Sequence, residues 1–365
     1  MRLGNPSLKP AFSREVEYGL NAGFLKKFTL EYSYSNKLTK DQILDVPLSL
    51  VTGYSSQWRN AGTLQGDSHE IALGALLFAT TTYSWKLNVV GDRTRSRIVD
   101  LNVQPFLSGP PGSTKYFRVA KGETFGVIYG ERFIRTASQL ARSIASGTLA
   151  GVATDYVRNE DGFYVAAATK GTLGERPLVD YPTTGSANQQ IGDVNPDFNL
   201  SLNNSVQWRH LSVHALVNWV QGGNIYNLTR QSTFAGLRNV VVDQRGKPQA
   251  AKKPTSYYAS FFNLGVPTDY FVEDGSYIRL RELSANVQLP KRWTRRFLAN
   301  KSRTARFGIV GRNLWTATKY SGYDPDVTAK GGASGGGDQP FSYRVDGATH
   351  YPSYRTLTLV IDIGN

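Results

Sequence analysis

The last stretch of the chain, Tyr351 to Asn365, alternates with a period of two: Leu357, Leu359, Ile361 and Ile363 are apolar, and Thr356, Thr358, Val360 and Asp362 lie between them. Side chains of a strand point alternately to opposite faces, so this segment has one wholly apolar face. Such a face must meet either a protein core or lipid. Segments of the same kind recur. Phe28, Leu30, Tyr32 and Tyr34 alternate with Thr29, Glu31, Ser33 and Ser35. Trp85, Leu87 and Val89 alternate with Lys86 and Asn88. Phe198, Leu200, Leu202, Val206 and Trp208 share a parity broken only by Asn204, and Leu211, Val213, Ala215, Val217 and Trp219 follow. Leu283, Ala285, Val287 and Leu289 alternate with Glu282, Ser284, Asn286 and Gln288. About ten segments have the length of a membrane-crossing strand.

Composition agrees with an all-β chain. There are 36 Gly, 20 Tyr and 17 Phe in 365 residues, favouring turns and strands. The mean hydropathy of −0.35 is too polar for a helical membrane bundle but suits strands that hide lipid-facing residues by alternation. Aromatic residues near segment ends (Tyr32, Tyr34, Trp85, Trp208, Trp219, Tyr277) are expected to form interfacial girdles. The intervals Lys37 to Asp67, Arg93 to Asp197, Gln221 to Asp274 and Thr316 to Tyr351 are expected as long loops, against short turns at Gly23 to Lys26 and Trp208 to Leu211. Asp41 to Asp45 is expected as one helical turn before Pro47. Lys330 to Asp338 is expected to be a mobile glycine-rich tip.

The chemistry is sparse. With no cysteine, disulfides and thiolate sites are excluded. The four histidines, His69, His210, His214 and His350, form no ligand spacing, and no Ser/His/Asp trio stands out, so neither an enzyme nor a cofactor is expected. Asp324, Asp326 and Asp338 could hold Ca²⁺, although Asp324-Pro325 reads first as a turn. The net charge of +14 is spread along the chain; the densest group, Lys291 to Arg296, is short, so basic loops facing an anionic membrane are expected rather than nucleic acid.

Eight phrases, in order, resemble the C-terminal barrel of the SusC/RagA family of TonB-dependent outer-membrane transporters. They are Asn5–Glu17 (NPSLKPAFSREVE), Thr52–Gly62 (TGYSSQWRNAG), Gly192–Phe198 (GDVNPDF), Gln221–Asn227 (QGGNIYN), Glu273–Arg281 (EDGSYIRLR), Gly311–Trp315 (GRNLW), Tyr320–Asp326 (YSGYDPD) and Tyr351–Thr356 (YPSYRT). The likeness is weakest from Pro110 to Ile191, and the ending Gly364-Asn365 departs from the aromatic terminus usual in the family.

The resemblance implies that residues 1–365 are the C-terminal part of a receptor barrel, with the plug and TonB-contacting segment absent from this chain. The expected fold is an antiparallel transmembrane β-barrel portion of about ten strands, an open curved half-barrel with long extracellular loops. Its lumen-facing candidates are Glu31, Asn199, Asn203, Gln207, Asn218, Glu282, Asn286, Gln288 and Asp362. Loop aromatics Trp58, Tyr129, Tyr257, Tyr258 and Tyr323 are candidates for contacting ligand or for packing the loops together. The implied setting is the bacterial outer membrane and its lipid. The implied partners are a SusD-like lipoprotein, TonB–ExbB–ExbD acting through the missing N-terminal part, and a glycan or oligopeptide substrate. Two other readings remain at this stage: a small passive pore, or a soluble all-β glycan-binding or adhesin module.

Overall fold

The computed structural model describes residues 1–109, 115–182, 186–261, 266–290, 293–294, 304–327, 344–347 and 351–364. The glycine-rich tip with Asp338, His350, Asn365 and most of the basic group at 291–296 lie outside the described residues.

Nine long strands form the wall: β1 (Phe12–Phe24), β2 (Phe28–Pro47), β3 (Ser56–Ala79), β4 (Tyr83–Leu101), β5 (Phe198–Trp208), β6 (Leu211–Gln221), β7 (Tyr277–Gln288), β8 (Thr304–Thr318) and β9 (Thr356–Gly364). Each pairs antiparallel with the next, giving an up-and-down meander. A short parallel pairing of Arg2–Leu3 with β3 adds a tenth strand. Among the described residues β1 and β9 are not joined, so the sheet is open.

Register carries the apolar residues of each strand to one side. On β5 and β6, Leu200 faces Trp219, Leu202 faces Val217 and Val206 faces Val213. On β8 and β9, Phe307 faces Ile361 and Ile309 faces Leu359. On β5 and β6 the aliphatic side chains are half-buried, and on β8 and β9 they are open, Leu357 and Leu359 at 72% exposure. A one-residue slip would move a strand's whole apolar set to the opposite side, so agreement across eight pairings defines a single apolar face. Asn204, the one polar residue in that series, sits opposite Leu87 and accepts a hydrogen bond from the Trp85 indole at 3.0 Å. Its amide oxygen thus has a partner within the wall.

Aromatics border this face at the short-turn end. Phe24 stacks on Phe28 with centroids 5.2 Å apart, and Phe78 packs between Tyr83 and Trp85. From Trp208 at this end to Phe198 at the other, β5 rises about 33 Å at about 3.3 Å per residue. A tilt of about 40° reduces that to about 25 Å, the height of an outer-membrane apolar band.

Four expectations need correction. Tyr277 does not belong to a lipid-facing girdle: it is 6% exposed and faces Val220 and Thr318 on the polar side. A bulge between Leu280 and Glu282 flips the parity of β7, so the apolar set runs Ile278, Leu280, then Leu283, Ala285. Lys37 to Asp67 is largely strand, joined by a short connection around Leu50–Thr52. Asp41 to Asp45 is strand rather than helix, because bulges at Thr39–Ile43 turn Leu44 and Val46 into a cluster with Ala61, Leu64, Ile98, Val119 and Phe125. Trp58 consequently lies on β3 instead of in a loop.

On one side of the wall, the connections described throughout their length are turns at 25–27, 80–82 and 209–210. On the other side, the described parts of 102–197, 222–276 and 319–355 fold together as a cap with a core of its own. Phe133, Phe163, Phe234, Tyr257, Phe261 and Phe271 interlock there, with Val345 from the third connection. It also contains helices α1 (Ala137–Ala145), α2 (Leu228–Ala235) and α3 (Thr255–Ala259).

Leu202→Arg places a cation at mid-height on the apolar face and should destabilise the lipid-embedded wall by about 2–4 kcal/mol. Asn203→Arg, one residue on and on the other face, should leave it near wild type. Urea titration of the heat-modifiable species in lipid measures both.

Candidate functional site

The face opposite the apolar band is polar. It carries Glu31, Asn199, Asn203, Gln207, Asn218, Glu282, Asn286, Gln288 and Asp362, since each alternates with the apolar set of its strand. Neighbours tie many of them laterally. Asn199 Nδ2 donates to Asp92 Oδ2 at 2.8 Å, and Asn218 Nδ2 donates to Ser201 Oγ at 2.7 Å. Glu282 pairs with Arg312 at 3.1 Å and lies 3.7 Å from His214. Asp362 is opposite Arg306. His210 is in the β5–β6 turn, away from this group. Such a wall has donors and acceptors along its whole height and suits a polar solute or water.

Where the wall meets the cap, several of the recurring phrases converge. Arg279, 2% exposed, is bonded to Asp324 and to Thr316 Oγ1 at 3.0 Å, and lies 3.7 Å from Asp326. Arg281, at the β7 bulge, reaches Asp326 at 2.6 Å and Asn218 Oδ1 at 3.2 Å. Asp324 also accepts from the backbone N–H groups of Asp326 at 2.9 Å and Ser353 at 2.8 Å. Burial alone would raise the Asp324 carboxyl, but these bonds and the Arg279 charge hold it below its usual value. The two carboxylates are therefore held by arginine and by a turn, and among the described residues no cluster has the makings of a metal site.

Arg344 threads the same junction. Its guanidinium donates to the carbonyls of Gly275 at 2.8 Å and Gly222 at 3.3 Å. A Cβ on Gly275 would stand 2.7 Å from that guanidinium, and one on Gly223, whose φ is +71°, would meet the Val194 carbonyl at 2.7 Å. Only glycine gives this close approach. Clefts of about 270 Å³ (with Asn199, Tyr277 and Arg344 in its lining) and about 170 Å³ (with Tyr323, Asp346 and Tyr351) open beside the junction.

A second meeting of phrases fixes the chain near β3. Asn5 Nδ2 donates to the Trp58 carbonyl at 2.8 Å. Asn60 binds both the N–H and the carbonyl of Lys9, at 2.9 and 2.8 Å. Arg2 lies over the Trp58 ring at 5.3 Å and pairs with Asp45.

The aromatic candidates separate by burial. Tyr257 and Tyr258 are 0% and 3% exposed, so they are cap core and out of reach of a ligand. Tyr129 is half-buried beneath the Arg118 guanidinium, its hydroxyl donating to Glu123 at 3.0 Å. Tyr323, at 83%, stands open beside Tyr351. Alternation could not separate these, because the cap has no repeating period.

The cap also contains an internal ion cluster. Lys253 bonds Glu175 at 2.7 Å and Glu160 at 2.8 Å; the Lys253 and Glu175 side chains are 2% and 0% exposed. Asn159 Nδ2 and the Gly171 N–H also donate to Glu175. Burial pulls the Glu175 carboxyl up and the Lys253 ammonium down, but their shared hydrogen bonds outweigh it and hold each in its charged form. Glu160, bonded by Lys253 and Lys170, falls to about 2.

Known proteins of two kinds resemble this chain. TonB-dependent receptor P3 of Formosa agariphila is 27% identical over 341 residues, 88% of this chain and 31% of the receptor. TonB-dependent receptor P26 of the same organism is 25% identical, over 99% of this chain and 35% of its own length. The chain thus spans about a third of the curated relatives it matches. The RagAB peptide transporter superposes with a TM-score of 0.68 at 21% identity, over 99% of this chain and 36% of that one. The same importer in its "closed-closed" state gives 0.65 at 19% identity, over 98% and 36%. At that identity the likeness is one of fold. No protein-family model matches the chain.

Depressed carboxylates stabilise above their ordinary value of 4.5 and lose that contribution as pH falls toward about 2, whereas raised Lys253 keeps its contribution until pH rises beyond its ordinary 10.5. The cap should therefore loosen in acid over that lower window. Lys253→Met strands a buried Glu175 charge, should cost the cap about 3–5 kcal/mol, and should speed hydrogen exchange at Tyr257 to Phe261.

Proposed function

For a chain that matches the barrel part of SusC/RagA-like TonB-dependent transporters and resides in the bacterial outer membrane, we propose a role as wall, external cap and lid-docking surface of a nutrient importer. The observation that carries this reading is the two-faced register: nine strands share one open apolar face and one polar face. A soluble module would cover that apolar face with a second layer.

The open edges at β1 and β9 bear on the passive-pore reading. Lipid cannot satisfy an unpaired strand edge. We infer that further strands of the same receptor complete the barrel, and that a plug and TonB-contacting segment belong to that remainder. TonB–ExbB–ExbD would act through those parts. A SusD-like lipoprotein would close over the cap. The cargo is a bulky polar nutrient, an oligopeptide or a glycan. The polar wall offers such a cargo amide and hydroxyl partners, and Tyr323 and Tyr351 beside the smaller cleft offer aromatic faces. No catalytic step is assigned to any residue.

Deleting the gene should abolish growth on one class of oligomer, peptide or glycan, as sole nutrient while growth on its monomers continues. Uptake of that oligomer should stop within minutes of adding a protonophore. Unchanged growth on every oligomer, or uptake indifferent to the protonophore, refutes energised import.

A further inference from the structure

The alternation of β4 continues beyond its apolar residues. Trp85, Leu87, Val89 and Gly91 are followed on the same parity by Arg93, Arg95 and Arg97. Pairing with β3 is unbroken through this stretch: Leu73 faces Val89, Ile71 faces Gly91, His69 faces Arg93, Asp67 faces Arg95 and Gln65 faces Arg97. A strand without a bulge keeps its faces. The three arginines therefore project from the same side as the apolar band, starting about 7 Å above its last row.

The rows continue across the sheet. His69 is beside Tyr34, and Tyr34 beside Tyr18, which is 66% exposed. Two rows higher, Gln65 is beside Leu38 and Leu38 beside Arg14. The tyrosines mark the interface level on the cap side, so the arginines stand where the outer leaflet presents its headgroups. Arg14, Arg93 and Arg97 are exposed. Among the described residues, only Arg95 of the β4 trio is paired, with Asp197 at 3.2 Å and the Pro196 carbonyl. Asp67, the acid on this outward face of β3, is occupied by Tyr34 at 3.0 Å and Asn36 at 2.5 Å.

Guanidinium groups at an apolar boundary need anions, and phosphate matches their fork geometry. We propose that the outward face of β3 and β4 is a binding site for a phosphorylated lipid headgroup, with Arg93 and Arg97 as its principal ligands and His69 beside Arg93; Arg14, three strands along the row of Arg97, adds positive charge to the same level. Arg93 and Arg97 lie about 13 Å apart along the strand, so the site spans more than one phosphate oxygen cluster. This inference rests on the membrane reading above.

The test uses the detergent-solubilised receptor containing this chain and fluorescent phosphatidylglycerol as probe, with phosphatidylcholine as the neutral reference. Wild type should prefer phosphatidylglycerol, less so at high salt. The Arg93→Gln/Arg97→Gln pair should lower that binding by about tenfold, with Arg93→Lys/Arg97→Lys recovering part of it. Lys86→Gln, which removes a charge from the other face of the same strand, should change nothing. Equal binding by the glutamine pair, or no preference over phosphatidylcholine, overturns the site. Displacement by millimolar inorganic phosphate reassigns it to soluble phosphate and overturns the lipid identity. A protein that binds neither lipid nor detergent fails the membrane reading itself, a separate result.

Discussion

Every strand in this wall must give its backbone hydrogen bonds to a neighbour, because the side chains on one face are turned toward a medium that offers none. That requirement governs the rest. It fixes the meander, in which β1 to β9 pair in chain order. It makes register strict, since a one-residue slip of β6 against β5 would put Asn218 in lipid. It explains why Asn204, the single polar intruder, is found bonded to Trp85.

The rim follows a different logic. There the wall meets a cap with its own aromatic core, and the join is made by ions and glycines. Arg279, Arg281 and Arg344 hold the loop carrying Asp324 and Asp326 against the strand ends. Asn60, on β3, holds the chain before β1 through both polar groups of Lys9. The short phrases by which the family resemblance is read are thus mostly joints. They need particular residues because a buried arginine or a glycine slot tolerates few replacements.

The wall was legible in the sequence because period two is a direct record of two environments. The apolar parities of β5, β6 and β9 can be written down from Phe198 to Trp219 and from Leu357 to Ile363. Tyr277 was misplaced for a definite reason. Extending the odd parity of Leu283 and Ala285 backward puts it on the apolar face, and the extra residue at the bulge reverses that. The Asp41 region failed likewise, at the bulges that turn Leu44 inward. The cap was illegible. Phe133, Phe163 and Phe261 come from distant, aperiodic segments and meet only in three dimensions. The arginines at 93, 95 and 97 did leave a readable signal, since they continue the parity of Trp85 to Val89.

The cap core draws on residues from Tyr116 to Val345, contributed by connections that leave the wall at three places. None of those segments can complete it alone, and contacts of such sequence separation close late because loop entropy must be overcome first. The order of assembly follows. Only once β4 to β9 stand in place are the pieces near enough to condense, so the cap's closure reports that the wall beneath it is built.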